Sequence, residues 1–222
     1  GGLLSIPALL WTGMSPIQAI ATNKLQASMG SFTATAHYVR HGLVSPGKLW
    51  FAVFMTLLGA MTGALLVQRL PNAWLETLVP VMLIIIALYF LFSKKIRLES
   101  GEQRISLTAF SVLIGFTIGF YDGFFGPGTG SFFTIAFVLL LGYALPQAIG
   151  GTKLLNFTSN VVALGVFILS GHILWLAGIV MGAGQILGSY LGSHMAIKHG
   201  GKLIRPMLVT ISILMSIKLL LD

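Results

Sequence analysis

Residues 154–197 contain no Asp, Glu, Lys or Arg. A run of that length excludes an ordinary soluble domain. It is enough for two bilayer crossings of about 20 residues each, joined by the turn Ser170, Gly171, His172. Composition agrees: the 222 residues carry 13 Lys and Arg and 5 Asp and Glu, where a soluble chain of this length would carry about 55 charges. Mean hydropathy is +0.94. The absence of Cys removes disulfides, thiolate metal sites and Cys nucleophiles from consideration. The net charge of +8 reads as membrane orientation and not as affinity for nucleic acid.

Pro and Gly punctuation divides the remaining apolar stretches. Seven crossing helices are predicted, at 16–40, 47–68, 74–92, 106–124, 145–169, 173–197 and 203–221. The segments 2–12 and 131–141 are apolar but too short to cross, as re-entrant or broken helices are. The clearly aqueous loop is 94–104, KKIRLESGEQR. Trp11, Trp50, Trp74 and Trp175 fall near span ends, as an aromatic belt requires. The fold class expected is an all-α polytopic membrane protein with short broken helices.

Sliding the chain against itself by 129 residues aligns 1–93 with 130–222 without a gap. Gly13 meets Gly142, Gln18, Ala19 and Ile20 meet Gln147, Ala148 and Ile149, and Lys24 and Leu25 meet Lys153 and Leu154. Gly42 meets Gly171, while Gly59 and Gly63 meet Gly188 and Gly192. The expected organisation is a first repeat over 1–93, a cytoplasmic loop over 94–105 and a second repeat over 106–222. The equivalent of 108–129 would precede Gly1, and the chain opens on Gly-Gly without Met, so about eight crossing helices are expected in the full protein.

Loop charge orients the halves. If 106–142 enters from and returns to the face of the 40–48 turn and the 94–104 loop, nine Lys and Arg lie on that face against two on the other. If 106–142 nets one crossing, the division is seven against four. Positive-inside asymmetry favours the first arrangement, an inverted repeat. Inverted repeats interrupted by broken helices are a pattern of secondary transporters.

Lys24 and Lys153 each lie eight residues into their helices, about 12 Å along the axis and near the middle of a ~30 Å core. A Lys at that depth faces a polar cavity or a partner. Helical spacing puts Ser28, Ser31 and Thr35 on the Lys24 face, and Asn156 and Asn160 on that of Lys153, with Thr152 and Ser159 on the flank. The competing reading is a snorkelling Lys, or a structural ion pair with the lone intramembrane acid, Asp122. Asp122 sits in Gly-Phe-Tyr-Asp-Gly-Phe-Phe-Gly-Pro-Gly-Thr-Gly (119–130), which must break a helix inside the membrane. The region 124–131, with Gly126, Gly128 and Gly130, is expected to be non-helical, its backbone groups open to an ion or anion. Asp122 could carry a coupling proton, cap the next helix or pair with a Lys. The glycines lack the preceding strand and following Lys-Ser/Thr of a nucleotide-binding loop.

Gly115/Gly119/Gly123, Gly59/Gly63 and Gly184/Gly188/Gly192 read as ridges for close helix approach. His41, His172 and His199 lie at helix ends as solvated interface residues, and His37 lies off the Lys24 face. No His–acid pair has metal-ligand spacing, so no metal and no cofactor are expected. Ser31 and Ser131 have no His or acid within helical reach to form a hydrolase pair.

The same residues resemble a known family. Gly-Gly-Leu-Leu-Ser-Ile-Pro-Ala-Leu (1–9), with Gly13, Ala19 and Ala21 to Leu25 including Asn23, is similar to the first repeat of the TauE/SafE sulfite-exporter family. Residues 119–131 and Thr152, Lys153, Leu154, Leu155, Asn156 resemble its second repeat, in wording closest to the YfcA-like branch. The resemblance spans essentially the whole chain. It implies a bacterial inner-membrane protein of about eight helices, in a family linked to export of sulfite and organosulfonate anions.

The expected function is therefore secondary transport of a small anion, not catalysis. The partners expected are membrane lipid, the anion and a coupling proton. Asn, Ser and Thr donors beside two midmembrane Lys suit an oxyanion. A channel and an intramembrane enzyme are the rival classes, the enzyme requiring a nucleophile and base within about 3.2 Å.

Overall fold

The computed structural model describes residues 2–92 and 101–199, and these residues form helices and connecting turns without strands. In order they are α1 (Gly2–Trp11), α2 (Pro16–Arg40), α3 (Trp50–Val67), α4 (Asn72–Phe92), a continuous rod of α5 (Leu107–Phe110), a π-helical turn (Ser111–Gly115) and α6 (Phe116–Phe124), then α7 (Thr129–Leu141), α8 (Leu145–Ser170) and α9 (Trp175–His199). The helix expected at 203–221 and most of the 94–104 loop lie outside the described residues.

The ends follow from local chemistry. Gln18 accepts the Ser15 backbone N–H at 3.2 Å, and Pro16 opens α2 where its missing donor costs nothing. At the C-terminal ends of α7 and α8 stand Gly142 (φ +70°) and Gly171 (φ +71°), in the left-handed region that lets a chain leave a helix sharply. Their counterparts 129 residues earlier, Gly13 (φ +85°) and Gly42 (φ +67°), adopt the same conformation after α1 and α2.

Among the described residues, four helices are long and apolar enough to cross a membrane: Trp50–Val67, Leu107–Phe124, Leu145–Ser170 and Trp175–Ile197. The seven expected spans are thus met in part. α2 falls short on hydropathy and not on length, because Thr22, Asn23, Lys24, Gln26, Ser28, Ser31 and Thr35 are buried inside the bundle. Lipid-facing positions are held by its neighbours: α9 exposes Leu176, Val180, Leu187 and Leu191. The four Trp residues are exposed at helix ends.

Residue contacts fix the helix directions. Along the α2–α9 seam, Leu174 donates its N–H to the Thr22 hydroxyl at 3.1 Å, Gly178 meets Leu25, Gly182 meets Met29, and His37 meets Ser193. α2 and α9 therefore run the same way. Tyr38 packs at Gly150 and Phe32 at Phe157, so α2 and α8 run in opposite directions. The α3–α6 crossing is parallel: Gly115 faces Ala52, Gly119 faces Thr56, and Gly123 faces Ala60. A Cβ on Gly59, Gly63 or Gly123 would lie inside contact distance of the opposing backbone. These two glycine ridges interlock backbone to backbone, as small residues in membrane helices permit. For Gly184, Gly188 and Gly192, the described residues place nothing within 4 Å of such a Cβ.

After α6 the chain turns back. Arg104 donates its N–H to the Leu140 carbonyl at 2.8 Å, so the end of α7 lies beside the approach to α5. Residues 106–142 thus leave and return to one side.

Two apolar clusters hold the bundle. One gathers Ile6, Leu9, Ile17 and Ile20 with Leu75, Val79, Leu83 and Phe167. The other gathers Phe110, Phe133, Phe137, Leu141, Leu145 and Leu155.

Candidate functional site: a helix break clamped to two long helices

The break between α6 and α7 is shorter than the sequence suggests. Only 125–128 is non-helical; Thr129, Gly130 and Ser131 already belong to α7. The expectation of 124–131 is corrected by two glycines that turn the chain without unravelling it. Gly126 (φ +105°) and Gly128 (φ +86°) take conformations closed to most L-residues. The Gly128 carbonyl then accepts from Ser131 at 2.9 Å and Phe132 at 3.2 Å. The Thr129 hydroxyl donates to the Gly126 carbonyl at 2.6 Å, and the Tyr121 hydroxyl donates to the Pro127 carbonyl. Phe125, Pro127 and Thr129 are buried, so the backbone freed by the break is enclosed by protein.

Lys24 clamps this break to α2. Its Nζ lies 2.9 Å from Asp122 Oδ1 and also donates to the Asp122 backbone carbonyl. Both residues are almost fully buried, at 0% and 2% exposure. The second carboxylate oxygen of Asp122 accepts from the Ser159 hydroxyl of α8. One carboxylate thus ties α6 to α2 and α8. A Cβ at Gly126 would sit 2.8 Å from both Lys24 Nζ and Asp122 Oδ1, so glycine is required by space as well as by φ. Of the pairings expected for Lys24, the ion pair with Asp122 is formed.

Around the clamp lie two polar groups. On the α1 side, the Ser5 hydroxyl donates to Asn23 Oδ1 at 2.6 Å and Gln26 donates to the same oxygen at 2.8 Å. A Cβ at Gly2 would meet Asn23 Nδ2 and Pro127, each at 3.4 Å, which puts the start of α1 beside the break. On the α7 side, the Thr134 and Thr152 hydroxyls are 3.0 Å apart, and Asn160 donates to Asn156 Oδ1 at 2.7 Å and to the Asn156 carbonyl at 2.6 Å. Gly130 faces Asn156 Nδ2 and Thr152. Ser5–Asn23 and Thr134–Thr152 are the same pair of positions displaced by 129 residues.

The site residues read from sequence are therefore placed as follows. Lys24, Asp122 and Gly126 converge; Asn23 and Pro127 both border Gly2 beside them; Gly130, Thr152, Asn156 and Asn160 form the neighbouring group. Gly128 shapes the turn. The Ser28 and Ser31 hydroxyls instead bond back to their own helix, at the Lys24 carbonyl (2.7 Å) and the Ala27 carbonyl (2.6 Å). Lys153 makes no hydrogen bond or ion pair with a described residue. Sequence reasoning missed Ser5, Thr134 and Tyr121, and left Ser159 on the flank. Ser5 and Thr134 carried a signal, since both keep a hydroxyl at matched repeat positions.

Two Ser–His contacts occur among the described residues, and neither is built as a nucleophile and base. Ser193 donates its hydroxyl to the Tyr190 carbonyl at 3.1 Å, which leaves it an acceptor towards His37 Nδ1 at 2.8 Å. His172 and Ser170, 3.0 Å apart, share the α8–α9 turn. Among the described residues no acid bonds to either ring.

The fold and site define a helical membrane protein organised around a re-entrant break. The chain belongs to the family described as "Sulfite exporter TauE/SafE", whose profile matches residues 1–219. It is 48% identical over 222 residues to the "Probable membrane transporter protein YfcA" of Escherichia coli strain K12, covering all of this chain and 82% of the relative. It is 46% identical to a "Probable membrane transporter protein" of Haemophilus influenzae, again over the whole chain and 87% of the relative. A "Probable membrane transporter protein ORF9" of Sinorhizobium sp. is 44% identical, over the whole chain and 85% of that relative. No solved structure matches.

Proposed function

We propose that the protein is a secondary transporter carrying a small oxyanion, of the sulfite or sulfonate kind, across a bacterial inner membrane. The observation that carries this reading is Lys153. Lys24 is neutralised by Asp122, whereas Lys153, its repeat counterpart, lies on α8 beside Thr152 and Asn156 without an ion partner among the described residues. An unpaired ammonium at that depth is costly unless something negative attends it. An oxyanion there gains Lys153, hydroxyl and amide donors, and the N-terminus of the 13-residue α7, whose dipole favours negative charge.

The opposed directions of α2 and α8, the matched left-handed glycines and the matched hydroxyl bonds support an inverted repeat, the geometry of alternating access. Asp122 is the candidate coupling site: a proton on its carboxylate would remove the counter-charge of Lys24 and weaken the Ser159 hydrogen bond.

The test is anion-dependent thermal stabilisation of the full-length protein, with sulfite, thiosulfate and a small alkyl sulfonate. Saturation at 100 times Kd adds about 2.7 kcal/mol of stability. One of these anions should raise the melting temperature of the parent and not of Lys153→Gln. Equal stabilisation of both, or of neither, would remove Lys153 from the site.

A further inference from the structure

The water end of the α2–α9 seam holds a cluster that the transport reading does not use. His37 and His41 stand one turn apart on α2 and its cap, with ring centroids 4.4 Å apart, edge to face. From α9, His194 stacks on His37 at 5.9 Å and Tyr190 lies at 5.7 Å. Arg40 lies between the two α2 histidines in sequence, and His41 and His194 are exposed.

The hydrogen bonds fix two tautomers. His41 Nδ1 lies 2.8 Å from the His37 carbonyl, which can only accept, so His41 Nδ1 carries the proton. Ser193 has given its hydroxyl proton to the Tyr190 carbonyl, so His37 Nδ1 donates to Ser193 Oγ. Each neutral ring therefore keeps Nε2 as its basic atom, and His194 adds a third imidazole that makes no hydrogen bond with a described residue. No group of three ligands among the described residues could hold a metal ion. The ligand that suits three clustered bases is the proton.

We propose that His37, His41 and His194 form a proton-binding site that loosens this end of the α2–α9 seam as pH on the Arg40 face falls. Among the described residues, the groups facing His37 are Arg40 and His41 from α2, and Tyr190, Ser193 and His194 from α9, and none of these is acidic. The first proton adds a cation beside Arg40, and a second places like charges on rings already in contact. Protons thus bind more readily when the helices separate, and below about pH 6.5, the imidazole range, acid favours separation. The far end is held independently by Thr22 on the Leu174 N–H and by Gly178 and Gly182 against Leu25 and Met29. The seam therefore opens from the Arg40 end, and α2 is the helix that carries Lys24. This inference rests on the seam alone and not on the anion site.

The chain has no Cys, so a pair of spin labels can be placed in the double variant Val39→Cys/Leu191→Cys, both exposed positions beside the cluster. Their separation would be measured in the full-length protein in lipid nanodiscs between pH 8 and 5.5. The distances should lengthen reversibly as the pH falls across this range. The change should vanish in His37→Asn/His194→Gln, where the Asn amide keeps a donor for Ser193 but cannot titrate. A distance that is constant with pH in the parent, or an unchanged transition in the double variant, would overturn the proposal.

Discussion

Lys24 and Asp122 form a buried ion pair whose worth is mostly the cost of breaking it. Removing one partner from such a pair costs about 3–5 kcal/mol, because the survivor is left charged and unpaired. Lys24→Met and Asp122→Asn should each destabilise the fold on that scale. The double variant should lose much less than the sum, and thermal unfolding of the three proteins checks this. Strict additivity would mean that the two side chains do not act as a unit. Gly126 offers a second test at the same place. Gly126→Ala meets both strain at φ +105° and the Lys24–Asp122 pair, whereas Gly13→Ala meets strain at φ +85° with nothing within 4 Å. The first should cost more than about 1 kcal/mol, and the difference between the two variants measures the contact. That Lys24 and not Lys153 holds Asp122 was not legible in the sequence. The two lysines stand at equivalent repeat positions, and only the course of α6 beside α3 decides which of them the acid reaches.

At the scale of elements, most helix bounds were legible. A bilayer demands long uncharged runs, and proline and glycine mark where they stop; α2 and α8 accordingly begin at Pro16 and one residue before Pro146. The break was misjudged for a physical reason. Glycine was read as a weak helix former over 124–131, but at 126 and 128 it serves as a left-handed corner that restarts the helix at Thr129. Glycine ridges announced close approach but not the choice of partner. The α3–α6 crossing separates the roles within one ridge. Gly115→Ala would bring its Cβ to 3.3 Å from the Ala52 carbonyl, a tight contact relieved by a shift of a few tenths of an ångström, while Gly123→Ala would overlap the Ala60 backbone. Overpacking of that kind costs about 1–3 kcal/mol, so melting temperatures should fall clearly for Gly123→Ala and little for Gly115→Ala. Equal losses would show that the crossing is looser than its backbone contact implies.

At the scale of the whole molecule, one order of parts occurs twice among the described residues: a short helix, a left-handed glycine and a long helix, as α1, Gly13 and α2 and again as α7, Gly142 and α8. The end of α7 lies beside the approach to α5, and loop charge predicts an inverted arrangement with Arg40, Lys48 and Arg104 on one side. Single cysteines at Gln103 and Gly171 should then label from opposite faces of sealed vesicles, and Gln103 from the cytoplasmic one. Labelling of both from the same face would remove the inverted arrangement. Transport itself is tested most directly by flux. Full-length protein reconstituted in proteoliposomes should move sulfite, thiosulfate or a small sulfonate down an imposed gradient, and Lys153→Gln should abolish that movement while retaining a folded, monodisperse protein. Flux of none of these anions by the folded parent, or undiminished flux by Lys153→Gln, would contradict the account.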